Sequence, residues 1–279
     1  PYAGAGGAWL RGNLHTHTTC SDGRLTPEEV VEHYAAAGYD FLALTDHDTL
    51  CPLPDDDRLV LIPGVEVSRG GPHLNAVGVA KVYDTSRPRG GIVAEIMADG
   101  ALCFLNHPNW LADFGHWPQA ALAAVGPFHG IEIFNSVIDF LEGESHALDR
   151  WDMLLSAGRR VWGYANDDFH DRPHGPRGWT MVAAERDPAA IVAALKAGRF
   201  YASTGVVIEQ ITLGGATLSV TAPAAAEIRF VAKHGRVVRF CAGPAASYEV
   251  TGGEGYVRVE CWGAGRQAAW TNPVLIEEA

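Results

Sequence analysis

The sequence predicts an α/β protein with a mainly parallel sheet closed into a barrel, followed by a small β-sandwich. Between about residues 14 and 197, short apolar runs of strand length alternate with segments of helical periodicity. Strands that alternate with helices favour parallel pairing. After about residue 205 the helical periodicity ends, and short strands punctuated by glycine and proline follow. We therefore expect a barrel domain over residues 1–206 and an all-β domain over residues 207–279.

The first helix has the clearest end signals. Thr26 is a candidate N-cap, Pro27 suits the first helical position, and Glu29 completes a capping box. Gly38 is expected to end the helix. Periodicity predicts further helices at 92–98, 145–157 and 188–197. Apolar runs predict strands at 14–18, 41–45, 59–67, 74–79, 102–105, 130–134, 161–165 and 179–184. Alternating segments predict C-terminal strands at 207–213, 216–221, 227–231, 237–241 and 256–262.

Composition and charge limit the classes of function. The chain has 279 residues, of which 47% are hydrophobic, enough for a large core. Its formal net charge of −12 argues against a long nucleic-acid polymer as partner, while small anions stay compatible where bound cations reverse the local field. No apolar run approaches the roughly 20 residues that cross a bilayer. The first residues show no signal peptide, so a cytoplasmic location is predicted, with a removed signal left open.

The five cysteines are scattered through the chain without C-x-x-C spacing. This pattern favours reduced thiols. Cys241 and Cys261 fall in candidate strands of one region, so a disulfide between these two is the alternative.

His15 and His17 are the strongest functional signal. In an extended segment, side chains two positions apart share one face, and Asp22 follows five residues later. Imidazoles and carboxylates grouped in this way are typical of a metal site. Further candidates stand near the ends of other apolar runs: His47, Glu66, His107, Asp168 and His170. The carboxyl ends of barrel strands meet at one mouth, so we expect these side chains to converge there.

Together these motifs resemble the PHP (polymerase and histidinol phosphatase) superfamily of metal-dependent hydrolases. The resemblance rests on six segments in family order: His15-Thr16-His17, Ser21-Asp22-Gly23, Thr45-Asp46-His47-Asp48, Gly64-Val65-Glu66, Asn106-His107-Pro108 and Asp168-Phe169-His170. Residues 9–15, 200–205 and 270–273 are similar to the branch that contains bacterial carbaryl hydrolases.

The resemblance implies a distorted (β/α)7 TIM-like barrel with two or three divalent metal ions. It implies that the first ion is held by His15, His17, Glu66 and Asp168, and the second by Asp22, His47 and His170. Glu66 and His107 would share a third ion. Many members supply another histidine or cysteine to this third site where this chain has Asn135, a poor ligand, so its occupancy is left open. His129 is near in sequence but belongs to the opposite end of the strand.

The predicted chemistry is hydrolysis by a hydroxide that bridges two metal ions, for which zinc, manganese and iron are all suitable. The catalytic candidates are His15, His17, Asp22, Glu66, Asp168 and Arg177. Arg177 is included as a clamp for a phosphate or carboxylate, and His73 is a weaker candidate for the pocket lining. Asp46 is predicted to orient an imidazole rather than to bind metal.

The superfamily resemblance favours a small phosphate ester as substrate. The alternative is a carboxyl or carbamate ester or an amide, which the same hydroxide would attack and which the branch resemblance favours. An aryl ester needs an apolar wall, for which Trp110, Phe114 and Trp117 are candidates. A second class of function is a metal-binding scaffold with a silent barrel. It is disfavoured because no ligand position of the first two sites is lost.

Overall fold

The computed structural model describes residues 1–2 and 9–276 and shows a mixed α/β fold. Residues 3–8 and 277–279, which fall in the two predicted domains, lie outside the described residues. No helix in the described ranges is long and apolar enough to span a membrane. The cytoplasmic location stays a prediction.

Helices alternate with strands in the N-terminal part, and strands alone make up most of the rest. The helices are α1 (Pro27–Ala36), α2 (Arg89–Ala98), α3 (Gln119–Ala124), α4 (Leu148–Ser156) and α5 (Pro188–Lys196). The strands of the N-terminal part are β1 (Trp9–Asn13), β2 (Phe41–Leu44), β3 (Val60–Val67), β4 (Leu74–Val77), β5 (Leu102–Leu105), β6 (Gly130–Asn135), β7 (Trp162–Asn166), β8 (Trp179–Ala183) and β9 (Phe200–Ser203). The later strands are β10 (Gln210–Gly214), β11 (Thr217–Thr221), β12 (Glu227–Ala232), β13 (Arg236–Ala242), β14 (Ala245–Glu249), β15 (Tyr256–Trp262), β16 (Ala268–Thr271) and β17 (Val274–Leu275).

One large sheet runs through most of the fold. Its strand order is β13-β12-β15-β16-β9-β8-β1-β2-β3-β4-β5-β6-β7, with β17 paired to β15. The central region is rich in parallel pairs, which join β1 to β2, β2 to β3, β5 to β6 and β6 to β7. β4 pairs antiparallel with β3, so these two strands form a hairpin.

The segments that follow β1 and β7 lie side by side. The backbone N–H of His17 donates to Phe169 O at 2.8 Å, and that of Phe169 donates to His15 O at 3.3 Å. Within the described residues, no strand ladder joins β7 to β1. The closed (β/α)7 barrel therefore stays a prediction, whereas the meeting of these two carboxyl ends is observed.

The C-terminal strands extend the large sheet, because β16 pairs antiparallel with β9. A second sheet of order β10-β11-β14 packs on this extension, and its Leu218 and Val220 share a buried core with Phe230 and Val259. Hydrogen bonds between β9 and β16 therefore cross the boundary expected between residues 206 and 207. The two-domain division and the β-sandwich stay predictions.

The predicted start and end of α1 are confirmed. The backbone N–H of Glu29 donates to Thr26 Oγ1 at 3.3 Å, and the N–H of Thr26 donates to Glu29 Oε2 at 2.9 Å. Gly38, at φ 76°, has the left-handed conformation that commonly ends a helix.

The first strand lies earlier than predicted, at Trp9–Asn13 instead of 14–18. β1 is hydrogen-bonded on both sides, to β2 and to β8. Gly12 allows the ring of Phe41 to approach so closely that an added Cβ would stand 2.2 Å from it. Tertiary pairing thus decides where the strand lies, and His15 and His17 come just past its carboxyl end.

The sequence prediction does not include α3, β9, β14, β16 or β17. These elements are short, and β17 has only 2 residues. β9 and β16 are buried along their whole length, so they show no alternation of polar and apolar residues.

The prediction of reduced thiols is wrong for one pair. Cys20 and Cys51 form a disulfide with their Cα atoms 5.8 Å apart. They lie in loops after the adjacent parallel strands β1 and β2, a proximity that the spacing of the cysteines does not reveal. The alternative disulfide is also wrong, since Cys241 and Cys261 are free and lie on strands that pair with opposite sides of β12.

Arg258 of β15 joins the C-terminal strands to α4. Its buried guanidinium donates to both carboxylate oxygens of Asp152, at 2.9 and 2.7 Å, and to Glu260 at 2.7 Å. In Arg258→Met two largely buried carboxylates lose their cation. We therefore expect the free energy of unfolding, measured by urea titration with circular dichroism, to fall by about 3–5 kcal/mol.

Arg239→Met is the matched control, because Arg239 is exposed on β13. Its effect should stay within about 0.5 kcal/mol. A loss below about 1 kcal/mol for Arg258→Met would contradict the structural role of this ion pair.

Candidate metal centre

The carboxyl ends of the strands bring the predicted ligands together. His15 and His17 follow β1, and Asp22 lies in the same loop. His47 follows β2, Glu66 lies near the end of β3, His107 follows β5, and Asp168 and His170 follow β7. Their nitrogen and oxygen atoms form neighbouring groups of possible ligands.

Four buried side chains form the first group: His15, His17, Glu66 and Asp168. His15 Nε2 and His17 Nε2 each lie 3.1 Å from Asp168 Oδ1. The same two nitrogens lie 3.2 and 3.4 Å from the carboxylate oxygens of Glu66. Both nitrogens, Glu66 Oε2 and Asp168 Oδ1 are buried without a hydrogen-bond partner among the described residues. Buried polar atoms seldom lack a partner, and this set of two nitrogens and two oxygens fits a divalent ion.

Asp22, His47 and His170 form a second group together with His17. Asp22 Oδ2 lies 3.6 Å from His47 Nε2, and Asp22 Oδ1 lies 3.4 Å from His170 Nε2. This group is open to solvent, since 56% of the Asp22 side chain is exposed. His17 borders both groups, because its Nδ1 lies 3.7 Å from Asp22 Oδ1.

Glu66 also faces a third group. Its Oε1 lies 3.2 Å from His73 Nδ1 and 3.4 Å from His107 Nε2. Asn135 Nδ2 donates to Glu132 Oε2 at 2.8 Å and to Asp168 Oδ2 at 3.2 Å, whereas its Oδ1 is buried without a partner among the described residues. His73, only a weak candidate in the sequence, supplies the second nitrogen. The sequence signal for His73 is its place just before the second of two neighbouring strand-like runs, 59–67 and 74–79. In the hairpin that these runs form, Asn75 pairs with Glu66, and His73 comes within 3.2 Å of it.

His116, which sequence reasoning missed, packs beside the third group. Its ring centroid lies 4.7 Å from those of His73 and His107. The backbone N–H of His73 donates to His116 Nε2 at 2.8 Å, so that lone pair is occupied and the neutral ring carries its proton on Nδ1. Burial, with the charges of His107 and His73, lowers the pKa of His116 to about 2. His116 therefore positions His73 and offers no free lone pair to a metal.

Glu132 of β6 is a second residue that sequence reasoning missed. Its Oε1 lies 2.8 Å from His15 Nδ1 and accepts from Asn166 Nδ2 at 2.9 Å. Its Oε2 accepts from the backbone N–H of His107 at 2.8 Å. A carboxylate on one imidazole nitrogen leaves the other nitrogen free for a metal. The sequence signal that could have identified Glu132 is a charged residue between two apolar residues, Ile131 and Ile133, of a predicted strand.

The charges of the site keep its carboxylates ionised. Burial alone would raise the pKa of Glu66, but the charges of His15 and His73 hold it well below its usual value. Burial also opposes ionisation of Asp168, and the charge of His15 again keeps its pKa well below the ordinary value. Both side chains are thus anionic at neutral pH, the form that binds a metal ion.

Three non-glycine residues at the site have left-handed backbones: Asp48 at φ 51°, His107 at φ 29° and Asp168 at φ 52°. Each such conformation costs about 1–3 kcal/mol and persists only where neighbours enforce it. The Asp48 carboxylate, for example, accepts from the N–H and the hydroxyl of Ser68 at 3.0 and 2.8 Å. Strain of this kind is concentrated at functional sites.

Members of all three ligand groups line a cavity of about 420 Å³, and His15 and His17 lie outside its lining. Of the three predicted wall residues, Trp110 lines this cavity. Trp117 does not belong to the wall, because it is buried and its Nε1 donates to His73 O at 2.7 Å. Phe114 is exposed outside the lining. The rest of the apolar wall comes from residues that the sequence did not indicate, Val137, Ile138 and Leu141.

Arg177 does not line this cavity. Its guanidinium donates to Asp139 at 2.7 Å, and its backbone N–H donates to Asp167 Oδ1 at 2.9 Å. Burial raises the pKa of Asp167 to about 6. The basic residue in the lining is instead Arg24, which pairs with Asp171 at 3.0 Å.

Asp46 holds a loop and not an imidazole, contrary to the prediction. Its carboxylate accepts from the N–H and hydroxyl of Thr18 at 2.8 and 3.0 Å and from Ser21 Oγ at 2.7 Å. His129 lies before β6, as expected, and its Nδ1 accepts from the N–H of Cys103 at 3.1 Å.

Comparison with known proteins finds a family match in the N-terminal part of the chain. Residues 13–108 match the sequence model of the PHP domain. A 5′-3′ exoribonuclease of Salmonella typhimurium is 45% identical over 64 residues, which are 20% of this chain and 22% of that protein. A 3′,5′-nucleoside bisphosphate phosphatase of Chromobacterium violaceum is 41% identical over 68 residues, 24% of this chain and 22% of that protein. The matched part is thus about a fifth of either relative's length.

One solved structure is similar over nearly the whole chain. It is a two-domain protein of Bacteroides vulgatus described as containing a predicted PHP-like metal-dependent phosphoesterase. It covers 92% of this chain and 91% of its own, with a TM-score of 0.56 and 21% identity. At this identity the likeness concerns the fold alone. The sequence match to the PHP domain covers residues 13–108, and membership of the carbaryl hydrolase branch stays a prediction.

Glu132→Gln tests the positioning of His15. The amide cannot supply the anionic acceptor at His15 Nδ1, so we expect affinity for the first metal ion to fall about 10–100-fold. Competition with a chromophoric chelator measures this affinity. Glu144→Gln is the control, because Glu144 is an exposed acid. It should leave the affinity for the metal ion within about twofold of the unaltered protein. Unchanged affinity in Glu132→Gln would contradict the role given to Glu132.

Proposed function

We propose that this protein is a metal-dependent phosphoesterase that hydrolyses a small phosphate ester with two or three divalent ions. One observation carries the proposal: neighbouring ligand groups share side chains, and members of each group line one cavity. His17 borders the first and second groups, and Glu66 borders the first and third. Ions held there would lie side by side in reach of one substrate. The mixed nitrogen and oxygen donors suit zinc, manganese or iron.

Bound divalent ions would activate a water molecule and draw charge from the phosphoryl oxygens. The protein's own side chains control access to the site and bind the substrate. Burial of His15 and Asp168 keeps bulk water from the first group, while the exposed Asp22 marks the side from which substrate enters. Arg24 can donate to a phosphoryl oxygen by exchanging its partner Asp171 for the substrate.

The relatives support phosphate chemistry, since their names describe a nucleoside bisphosphate phosphatase and exoribonucleases. A cavity of about 420 Å³ suits a small ester. The exoribonuclease matches count against the prediction that excludes long nucleic acid, although the net charge of −12 disfavours a long polymer. An oligoribonucleotide therefore belongs among the substrates to be compared.

The apolar wall favours a second candidate function, hydrolysis of a carboxyl or carbamate ester or an amide. Trp110, Ile138 and Leu141 would pack on an aryl group, while a water molecule activated at the same metal centre would attack the carbonyl carbon. The sequence resemblance to the carbaryl hydrolase branch is the other argument for it. Both substrate classes need the same ligands, so only turnover separates them.

Parallel assays of the metal-loaded protein test these candidates. We expect hydrolysis of p-nitrophenyl phosphate to exceed that of p-nitrophenyl acetate and of a 5′-phosphorylated oligoribonucleotide. Asp168→Asn, and separately His15→Ala, should lower kcat by at least about 100-fold, because each removes a metal ligand. Dialysis against a chelator should abolish turnover, and added zinc, manganese or iron should restore it.

Asp84→Asn is the matched control for Asp168→Asn, since Asp84 is an exposed acid away from the cavity. It should retain full activity. Faster hydrolysis of the acetate would shift the assignment to the second candidate. No turnover of any substrate with metal bound would leave only the metal-binding scaffold.

Leu141→Asn tests the apolar wall. The side chain of Leu141 is half-exposed, so the change should not disturb folding. Loss of its contact with an aryl group should raise KM for p-nitrophenyl phosphate about fivefold and leave kcat unchanged. Leu213→Asn, on an exposed position of β10, is the control. Equal KM values in the two variants would show that the wall does not contact the substrate.

A further inference from the structure

A second cavity, of about 510 Å³, shares no lining residue with the metal centre. One side is built by residues of the N-terminal part, among them Arg11 of β1 and Trp179 of β8. The other side is built by the loops at Thr204–Gly205 and Arg266–Gln267, which adjoin the paired strands β9 and β16. The cavity thus lies where the C-terminal strands join the rest of the sheet.

Three arginines line this cavity: Arg11, Arg177 and Arg266. Among the described residues, neither Arg11 nor Arg266 has a side-chain ion pair within 4.0 Å, and Asp139 is the only carboxylate of the lining. Asp139 pairs with Arg177, so two guanidinium groups keep their charge unmatched at close range. Longer-range attraction alone joins Glu144 to Arg266 and the buried Asp167 to Arg11, whose guanidinium also donates to Ala37 O at 3.4 Å. In a chain of net charge −12, a concentration of unpaired arginines indicates a site for an anion.

The cavity also offers flat apolar surface beside these charges. The guanidinium of Arg11 lies 3.7 Å from the ring centroid of Trp179 and 4.2 Å from that of Tyr39. Stacking on two aromatic rings holds this side chain in place, so it loses little freedom when it binds a ligand. Phe134 and Pro176 complete the apolar part of the lining.

We propose that this cavity binds an organic phosphate or phosphonate whose anionic group meets the arginines and whose ring packs on the apolar surface. Arginine is the side chain best suited to bind phosphate oxygens through paired N–H groups. Arg177, predicted from the sequence as a phosphate clamp, takes this role here and not at the metal centre. The site needs no metal ion and does not depend on the proposed phosphoesterase activity.

Phenylphosphonate is a suitable probe, because its phosphorus–carbon bond resists hydrolysis and it carries both a ring and an anionic group. Isothermal titration calorimetry on the metal-loaded protein should be compared with the same titration of Arg266→Gln and of Arg177→Gln/Arg266→Gln. Arg239→Gln is the matched control, because it removes the same charge from an exposed position of β13. None of these changes touches a residue of the metal centre.

We expect Arg266→Gln to weaken one phenylphosphonate site about tenfold, and the double variant to abolish it, with Arg239→Gln within about twofold of the unaltered protein. Inorganic phosphate should bind this site more weakly than phenylphosphonate. The proposal is overturned if the double variant binds phenylphosphonate as the control does. Equal affinity for inorganic phosphate would also overturn it, since the apolar surface would then take no part.

Discussion

The carboxylate of Glu66 is the group on which the rest of the site depends. It is buried, and its two oxygens lie within 3.4 Å of ring nitrogens from five histidines. These are His15, His17, His47, His73 and His107. A buried anion is costly unless positive charge surrounds it. Divalent ions bound by these imidazoles would supply that charge, so one carboxylate connects the three candidate ligand groups.

The surroundings of this anion are built to hold imidazoles in one orientation. Glu132 fixes the ring of His15 and the backbone of His107, and His116 fixes the backbone of His73. The left-handed backbones of His107 and Asp168 show that the fold accepts strain to aim these side chains. The orientation of these candidate ligands is therefore set in part by Glu132 and His116.

Two further contacts tie the rim of the site to its neighbours. The disulfide of Cys20 and Cys51 joins the loop that carries Asp22 to the loop that carries His47. Asp167, next to the ligand Asp168, accepts hydrogen bonds from the backbone of Arg177 and Gly178. The disulfide thereby stabilises the second group. The hydrogen bonds of Asp167 connect the metal centre to the loop of Arg177, which lines the second cavity.

The sequence by itself determined the α/β class, the capped first helix and eight metal-ligand candidates, because these depend on periodicity, capping residues and side-chain chemistry. It did not place the first strand, since pairing of β1 with β2 and β8 overrides the local pattern. Only the tertiary structure decided that His73 faces Glu66, that Glu132 supports His15, and that Cys20 meets Cys51. It also placed Arg177 in the lining of the second cavity and not at the metal centre. The physical reason is the same in each case: these relations join residues that are far apart in the chain, and distance in space is set by packing of the whole sheet, which no local pattern encodes.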